Sequence, residues 1–289
     1  MKNIIVLVGC PGSGKSTLAQ EYVEKGYVRI SQDDMGRFEH RKAFDKAISE
    51  GHNIILDRMN HDKRQRSRYL TPAKEAGYKT TIQTFYMSSA KCLQRCIDRK
   101  DHPTIKTDKD AASAVDFFFR NYEPVSLDEA DMIVRTDDIV EVKHRAVICD
   151  IDNTIADGSH RQHYLQGPKK DWKNFFAEMH NDGLKKDVAE IVDNYYFCLG
   201  HSIIMCSGRP DEYRAVTTDW LSRHNVVHTK LLMRRRGDYR PDNLVKQIIW
   251  EHEIRPYYNV KFVLDDRDQV VKMFREQGLT VLQVEYGNF

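Results

Sequence analysis

At 289 residues, 40% apolar and 30% charged, the chain is long enough for two separate cores and too mixed in composition to be disordered or fibrous. A net charge of +2 falls short of what a protein coating a duplex needs, although gripping only a strand end takes few phosphate contacts. Six scattered cysteines without a CxxC pair argue against disulfides and zinc and for reduced thiols in the cytoplasm.

The apolar run over residues 4–8 is too short for the core of a secretion signal. No run approaches the roughly 20 apolar residues of a spanning helix, so a soluble cytoplasmic protein with no membrane contact is expected. Strand-like and helix-like segments alternate throughout, which predicts an α/β chain. Two domains are expected, over residues 1–138 and 139–289, each a mostly parallel sheet flanked by helices.

Residues 3–8 (NIIVLV) read as a buried strand. Gly9-Cys10-Pro11-Gly12-Ser13-Gly14-Lys15-Ser16 follows, and a helix-like segment from Thr17 to residue 25 comes next. A strand, a G-x-x-x-x-G-K-[ST] loop and a helix in this order make a phosphate cradle. Glycines let the loop's N–H groups turn inward, and the helix start adds positive potential. Candidate nucleotide contacts run from Gly9 through Pro11, Gly12, Ser13 and Gly14 to Thr17, with Lys15 bridging the β- and γ-phosphates of ATP and Ser16 holding Mg²⁺.

The loop alone does not separate a kinase from an ATPase or GTPase. A second strand over 28–31 leads to Asp33, placed to take the proton of an acceptor hydroxyl, and Arg37 follows as a candidate ligand of the acceptor's phosphate. A third strand, 53–56, ends at Asp57, positioned either to face a metal or to orient the acceptor. Lys63, Arg64, Arg66 and Arg68 either line the acceptor path or form a solvated helix face. After a strand over 80–86, a helix-like segment over 90–99 puts Arg95 and Arg99 on one face, where they would close over the γ-phosphate. A strand over 132–134 and a polar linker over 135–144 end the first half.

The second half opens on AVICDIDNTIAD, residues 146–157, an apolar strand ending in Asp150, Asp152 and Thr154. Carboxylates at i and i+2 of extended chain project to one face, at the strand end where open α/β sheets bind ligands. Residues 158–173 read as a loop over the site, with Arg161 a candidate phosphate ligand and His160 and His163 solvent-exposed. A helix over 184–200 leads to a strand over 202–206 ending in Ser207-Gly208-Arg209. A helix over 219–224 and the basic run Arg234-Arg235-Arg236 follow, then Asp242 and Lys246. A last buried strand, 260–264, ends at Asp265-Asp266. This order suits Mg²⁺ held by Asp150 and Asp266, with Asp152 and Asp265 as further candidate ligands. Asp150 would be the nucleophile and Asp152 the general acid and base, while Lys246, Ser207 and Arg209 neutralise phosphoryl oxygens.

DIDNT, SGR, Lys246 and the Asp pair resemble the four motifs of haloacid-dehalogenase-type phosphatases. Together with GCPGSGKS and the tail QVEYGNF, nearly the whole chain resembles the phage-type bifunctional polynucleotide 5′-kinase/3′-phosphatases. The resemblance implies a P-loop kinase domain followed by a Rossmann-like phosphatase domain. It implies ATP and Mg²⁺ as cofactors, DNA or RNA ends as substrates, a homotetramer, and a host cytoplasm if the chain is phage-encoded. Lys15, Ser16, Asp33, Arg95 and Arg99 match the kinase pattern, and Asp57 its acceptor-orienting aspartate. Asp150, Asp152, Arg209, Asp242, Lys246, Asp265 and Asp266 match the phosphatase, with Arg234 or Arg236 a looser match. The chain departs from the pattern in three places: Asn153 stands where the phosphatase motif has Gly, Arg37 follows the Asp pair one residue late, and the segment from 34 to 57 is short. Two other readings remain: a kinase–phosphatase of a nucleoside or sugar, and a nucleotide-regulated binding protein with degenerate sites.

Overall fold

Two five-stranded sheets, parallel throughout, carry the chain, which divides into compact units over Met1–Ile139 and Val140–Phe289. The computed structural model describes residues 2–99, 104–138, 140, 142–166 and 168–287. Among these, no helix is long and apolar enough to cross a membrane.

In the first unit the strands are β1 (Asn3–Val8), β2 (Val28–Ser31), β3 (Ile54–Asp57), β4 (Lys79–Tyr86) and β5 (Met132–Asp137), in the order β2-β3-β1-β4-β5. β1 reads as an unbroken apolar run because it lies mid-sheet, covered on both faces. The helices are α1 (Lys15–Glu24), α2 (Gln32–Met35), α3 (Glu39–Glu50), α4 (Lys63–Glu75), α5 (Ser89–Asp98) and α6 (Asp108–Asn121). Successive connections leave β1 first toward β3 and β2, then toward β4, so the loop after β1 sits at the point where the strand order reverses.

The second unit repeats this plan. Its sheet orders β10 (Lys230–Arg234), β9 (Ser202–Pro210), β6 (His144–Cys149), β11 (Tyr258–Arg267) and β12 (Val281–Gly287). Side chains alternate across β6. Val147 and Cys149 pack with Ile203, Met205, Trp220 and Leu221, whereas Ala146 and Ile148 pack with Ile204, Trp250, Val270 and Phe274 on the opposite face. The helices are α7 (Trp172–Ala177), α8 (Lys186–Asp193), α9 (Arg214–Arg223), α10 (Asp242–Ile249) and α11 (Asp268–Glu276), and a two-residue pair, β7 (Ala156–Asp157) with β8 (Gly183–Leu184), stands beside the main sheet.

Several local expectations need correction. Residues 158–173 are not a plain loop, because Ser159–Leu165 forms 3₁₀ turns and α7 begins at Trp172. The helix expected over 184–200 stops as α-helix at Asp193 and continues as one wide turn, Asn194–Cys198. β5 runs on to Asp137 and takes the start of the expected linker.

Within the basic cluster of α4, Arg66 is fully buried rather than lining a path. Its guanidinium forks onto Glu129 at 2.6 and 2.9 Å and donates to the carbonyls of Asn60, His61 and Glu123. Removing the acid alone strands a buried charge. Glu129→Ala is therefore expected to cost the first unit about 3–5 kcal/mol in urea unfolding, and the volume-matched pair Arg66→Met with Glu129→Leu to recover most of it. Equal losses in the two variants would show that the ion pair is not the cause.

Candidate active site

Register explains how distant aspartates meet. Cys149 on β6 pairs with Met205 on β9 and Leu264 on β11, so Asp150, Ser207 and Asp265 emerge together at the carboxyl edge of three adjacent strands. The Asp150 N–H donates to the Leu264 carbonyl at 2.9 Å, which fixes that alignment. Lys246, on α10, is fully buried and reaches Asp150 at 2.7 Å, Asp265 at 2.9 Å and Asp242 at 3.5 Å.

Asp150, Asp265 and Asp266 offer carboxylate oxygens within 4.8 Å of one another, all buried. Burial pushes Asp150 well above the usual carboxylate range against the pull of Lys246, and burial plus the Asp265 charge pushes Asp266 up to about 6. Burial alone would lower Lys246, but Asp150 and Asp265 hold it well above its ordinary value, so the ammonium stays charged. When all three carboxylates are ionised they carry two negative charges more than the one ammonium balances, on hard oxygen donors. That donor set fits Mg²⁺. Asp242 stands outside this imbalance, since Arg234 pairs with it at 3.0 Å.

The Asp152 carboxylate is not among the three that cluster within 4.8 Å. The guanidinium of Arg161 reaches it at 2.5 Å and that of Arg209 at 2.7 Å. Both arginines also bond the buried Asp182, at 2.5 and 2.9 Å. Burial by itself would raise the Asp152 carboxyl, yet Arg209 and Arg161 hold it well below its ordinary value. With both guanidinium groups fully buried and committed to carboxylates, Arg161 and Arg209 set the position of Asp152 rather than face a phosphoryl group, contrary to expectation. Ser207 is likewise turned inward, its Oγ accepting the Arg209 N–H at 3.2 Å. Gly208 has a steric reason: a Cβ there would lie 2.2 Å from Asp242 Oδ1.

Asn153 adopts φ 59, the left-handed turn that a glycine would otherwise supply, and Lys185 donates to its carbonyl at 2.7 Å. Arg234 spends its donors on the Gly208, Asp238 and Arg240 carbonyls and on Asp242, while Arg236 is 78% exposed and pairs with Glu212 at 3.2 Å. Neither points its charge at Asp150. Asp150, Asp152 and Asp266 line a cavity of about 550 Å³ whose wall includes Trp172, Phe176 and Tyr213.

In the first unit the loop from Gly9 to Gly14 joins β1 to α1, with Gly12 at φ 80 and Gly14 at φ 99. A Cβ on Gly12 would lie 2.5 Å from the Cys92 carbonyl, so α5 packs directly on the loop. Lys15 is buried and donates to the Cys10 carbonyl at 2.8 Å, and Ser16 and Thr17 follow in the first turn. Arg95 on α5 and Arg99 just beyond it are exposed at the end of the helix that braces the loop. Asp33 is exposed on α2, and Arg37 is exposed on the turn before α3. Asp57 is buried and neutralised by Arg29 at 2.7 Å, which also holds Asp34 at 2.9 Å.

Arg29, Arg58 and Asp182 belong to no motif legible in the sequence. A charge inside the four-residue strand VRIS was a usable signal for Arg29. Arg58 bonds Tyr69 and Gln32, bringing α4 to α2. Nothing in the sequence around Asp182 marks it, because its partners lie 21 and 27 residues away.

Residues 144–289 match the family model described as the polynucleotide kinase PNKP phosphatase domain, and residues 4–42 and 37–124 match one described as an AAA domain. A protein of Autographa californica nuclear polyhedrosis virus, described as a candidate bifunctional polynucleotide kinase/RNA ligase, is 26% identical over 95% of this chain and 41% of its own length. The bifunctional polynucleotide phosphatase/kinase of Schizosaccharomyces pombe is 32% identical over 32% of this chain and 23% of its own. The chain thus spans less than half the length of these curated relatives. A solved structure of the Pnkp1/Rnl/Hen1 RNA repair complex is similar at 27% identity and a TM-score of 0.46, over 100% of this chain and 97% of that one.

The buried acids make stability depend on pH, and any metal affinity of the cluster with it. Asp266 sits above the 3.8 of a free aspartate, so its contribution to stability is complete below about pH 4 and is lost as pH rises through about 6. Mg²⁺ binds the ionised form. Thermal melts should therefore show a Mg²⁺-induced gain in Tm of several degrees at pH 7.5 and a much smaller one at pH 5. An equal gain at both values would rule out this site as the origin.

Proposed function

The chain belongs to the polynucleotide kinase PNKP phosphatase-domain family, and from that premise we propose that it heals nucleic-acid ends, transferring the ATP γ-phosphate to a 5′-hydroxyl in the first unit and removing a 3′-phosphate in the second. The observation that carries the phosphatase half is Lys246, buried between Asp150 and Asp265, behind a cavity that Asp150 and Asp266 line.

Asp150 is the nucleophile. One of its oxygens forms a bond to phosphorus while the bond to the 3′-oxygen breaks, giving an aspartyl-phosphate that water then hydrolyses. Lys246 holds Asp150 in line and balances charge as the phosphoryl group transfers. Asp150, Asp265 and Asp266 would hold Mg²⁺, which supplies the positive charge that lets a carboxylate approach a phosphate dianion. Asp152 is kept in reach by Arg161 and Arg209. A phosphate arriving beside it adds negative charge, raises its pKa and lets it protonate the leaving oxygen.

In the first unit Lys15 and the loop amides grip the ATP phosphates, with Ser16 as a ligand of Mg²⁺. Asp33 accepts the proton of the 5′-hydroxyl, Arg95 and Arg99 close over the γ-phosphate, and Asp57 with Arg29 fixes the floor of the acceptor site. Arg37, exposed beside α2, is the candidate contact to the acceptor's phosphate. A homotetramer, implied by the family resemblance, completes the proposal.

Each half is tested with one end-labelled oligonucleotide. Lys15→Ala should lower 5′-phosphorylation at least about a hundredfold and leave 3′-phosphate release intact, and Asp150→Ala should do the reverse. Retention of the corresponding activity by either variant would sink that half. Faster turnover of a free nucleoside or its 3′-phosphate than of the oligonucleotide would favour a small-metabolite enzyme instead.

A further inference from the structure

Asp33 rides on α2, a single helical turn without one buried residue, which ends at Gly36 with φ 83. A turn that short does not hold its own shape in water. With no side chain of its own in the core, α2 is placed by polar contacts. The Ser31 Oγ accepts the Asp34 N–H at 3.3 Å, and Arg29 holds the Asp34 carboxylate at 2.9 Å. A chain of side-chain bonds then grips both ends of the turn. Arg58 donates to Gln32 Oε1 and, at 2.5 Å, to Tyr69 Oη. Tyr69 Oη lies 2.9 Å from His40 Nε2, and His40 Nδ1 lies 2.8 Å from the Gly36 carbonyl.

Chemistry assigns each group in this chain one role. A carbonyl only accepts, so His40 carries its proton on Nδ1. Burial first, and the Arg58 and Arg41 charges after it, lower His40 below its ordinary value against the pull of the Gly36 carbonyl. The ring is therefore neutral and Nε2 accepts. Tyr69 donates its hydroxyl proton to His40 and keeps its lone pairs for Arg58. Tyr69 and His40 are both buried, and Phe44 packs edge-on against the Tyr69 ring at 5.0 Å.

We propose that Tyr69, with His40 and Arg58, positions α2 so that the Asp33 carboxylate meets the acceptor hydroxyl. The inference rests on the kinase reading of the first unit. Gln32 and Gly36 stand four residues apart, on one side of the turn, and Asp33 lies about 100° round from Gln32. The chain thus fixes the rotation of the turn without covering Asp33, which stays exposed. It draws on α2, α3, α4 and the residue after β3, and not on the phosphate loop. Breaking it should therefore slow proton removal from the acceptor and leave ATP binding alone.

The test uses the full chain with Mg²⁺, γ-labelled ATP and a 5′-hydroxyl oligonucleotide. Tyr69→Phe keeps the ring and its packing on Phe44 and removes only the hydroxyl. It should lower kcat for 5′-phosphorylation about tenfold while KM for ATP stays within about twofold. Arg58→Met should do the same, and the double variant should be no slower than the slower single one, because both break one chain. An unchanged kcat in Tyr69→Phe would overturn the proposal, as would losses that multiply in the double variant. A Tyr69→Phe protein that loses kcat, ATP affinity and Tm together would overturn it in favour of a fold-wide role. Failure of the wild-type protein to phosphorylate any oligonucleotide would instead overturn the kinase reading, and full activity in Asp33→Asn would overturn the assignment of the base.

Discussion

Everything in the second unit answers to one electrostatic constraint, a single buried ammonium among more carboxylates than it can neutralise. Lys246 pairs with Asp150 and Asp265 while Asp266 sits beside them, all nearly withdrawn from water. Such a cluster is costly in isolation, since each buried charge loses its hydration. Apolar packing on both faces of β6, β9 and β11 offsets that cost and holds the acids at their positions. Even the last strand serves this end, because Gln283 on β12 donates to the Asp266 carbonyl at 2.9 Å. That donor set, three carboxylates close together and out of water, is one a divalent cation would suit.

A second network holds Asp152 apart from the first. Arg161 and Arg209 are shared between Asp152 and Asp182, so each arginine has two acids and each acid two arginines. Asp150 and Asp152, two residues apart, are thereby driven in opposite directions, the first raised by burial and the second lowered by the arginines. The first unit is organised differently. Its phosphate loop is braced by α5 and Lys15 is buried, but Asp33, Arg37, Arg95 and Arg99 lie in solvent. Exposed charges are screened by water, so these groups interact weakly with one another in the absence of a bound ligand.

The two parallel sheets, the phosphate loop and the acids at the strand ends are legible in the residues alone. Each rests on local rules: buried parallel strands read as apolar runs, a phosphate cradle needs glycines followed by Lys and Ser, and ligands collect where such strands end. Even the left-handed Asn153 followed from one residue's backbone tolerance. Tertiary structure alone decided what the arginines do. In the sequence Arg66, Arg161 and Arg209 are three cations free to meet a phosphate, and in the fold each is buried against a carboxylate from a distant segment: Glu129 for Arg66, Asp152 and Asp182 for the other two. The same holds for α7, hidden within a stretch that reads as loop because only packing against Arg161 and Tyr213 makes six residues a stable helix. A motif fixes which atoms a reaction needs, but a long side chain's partner is set by what the fold places within a few ångströms of it, and that distance is not written along the chain.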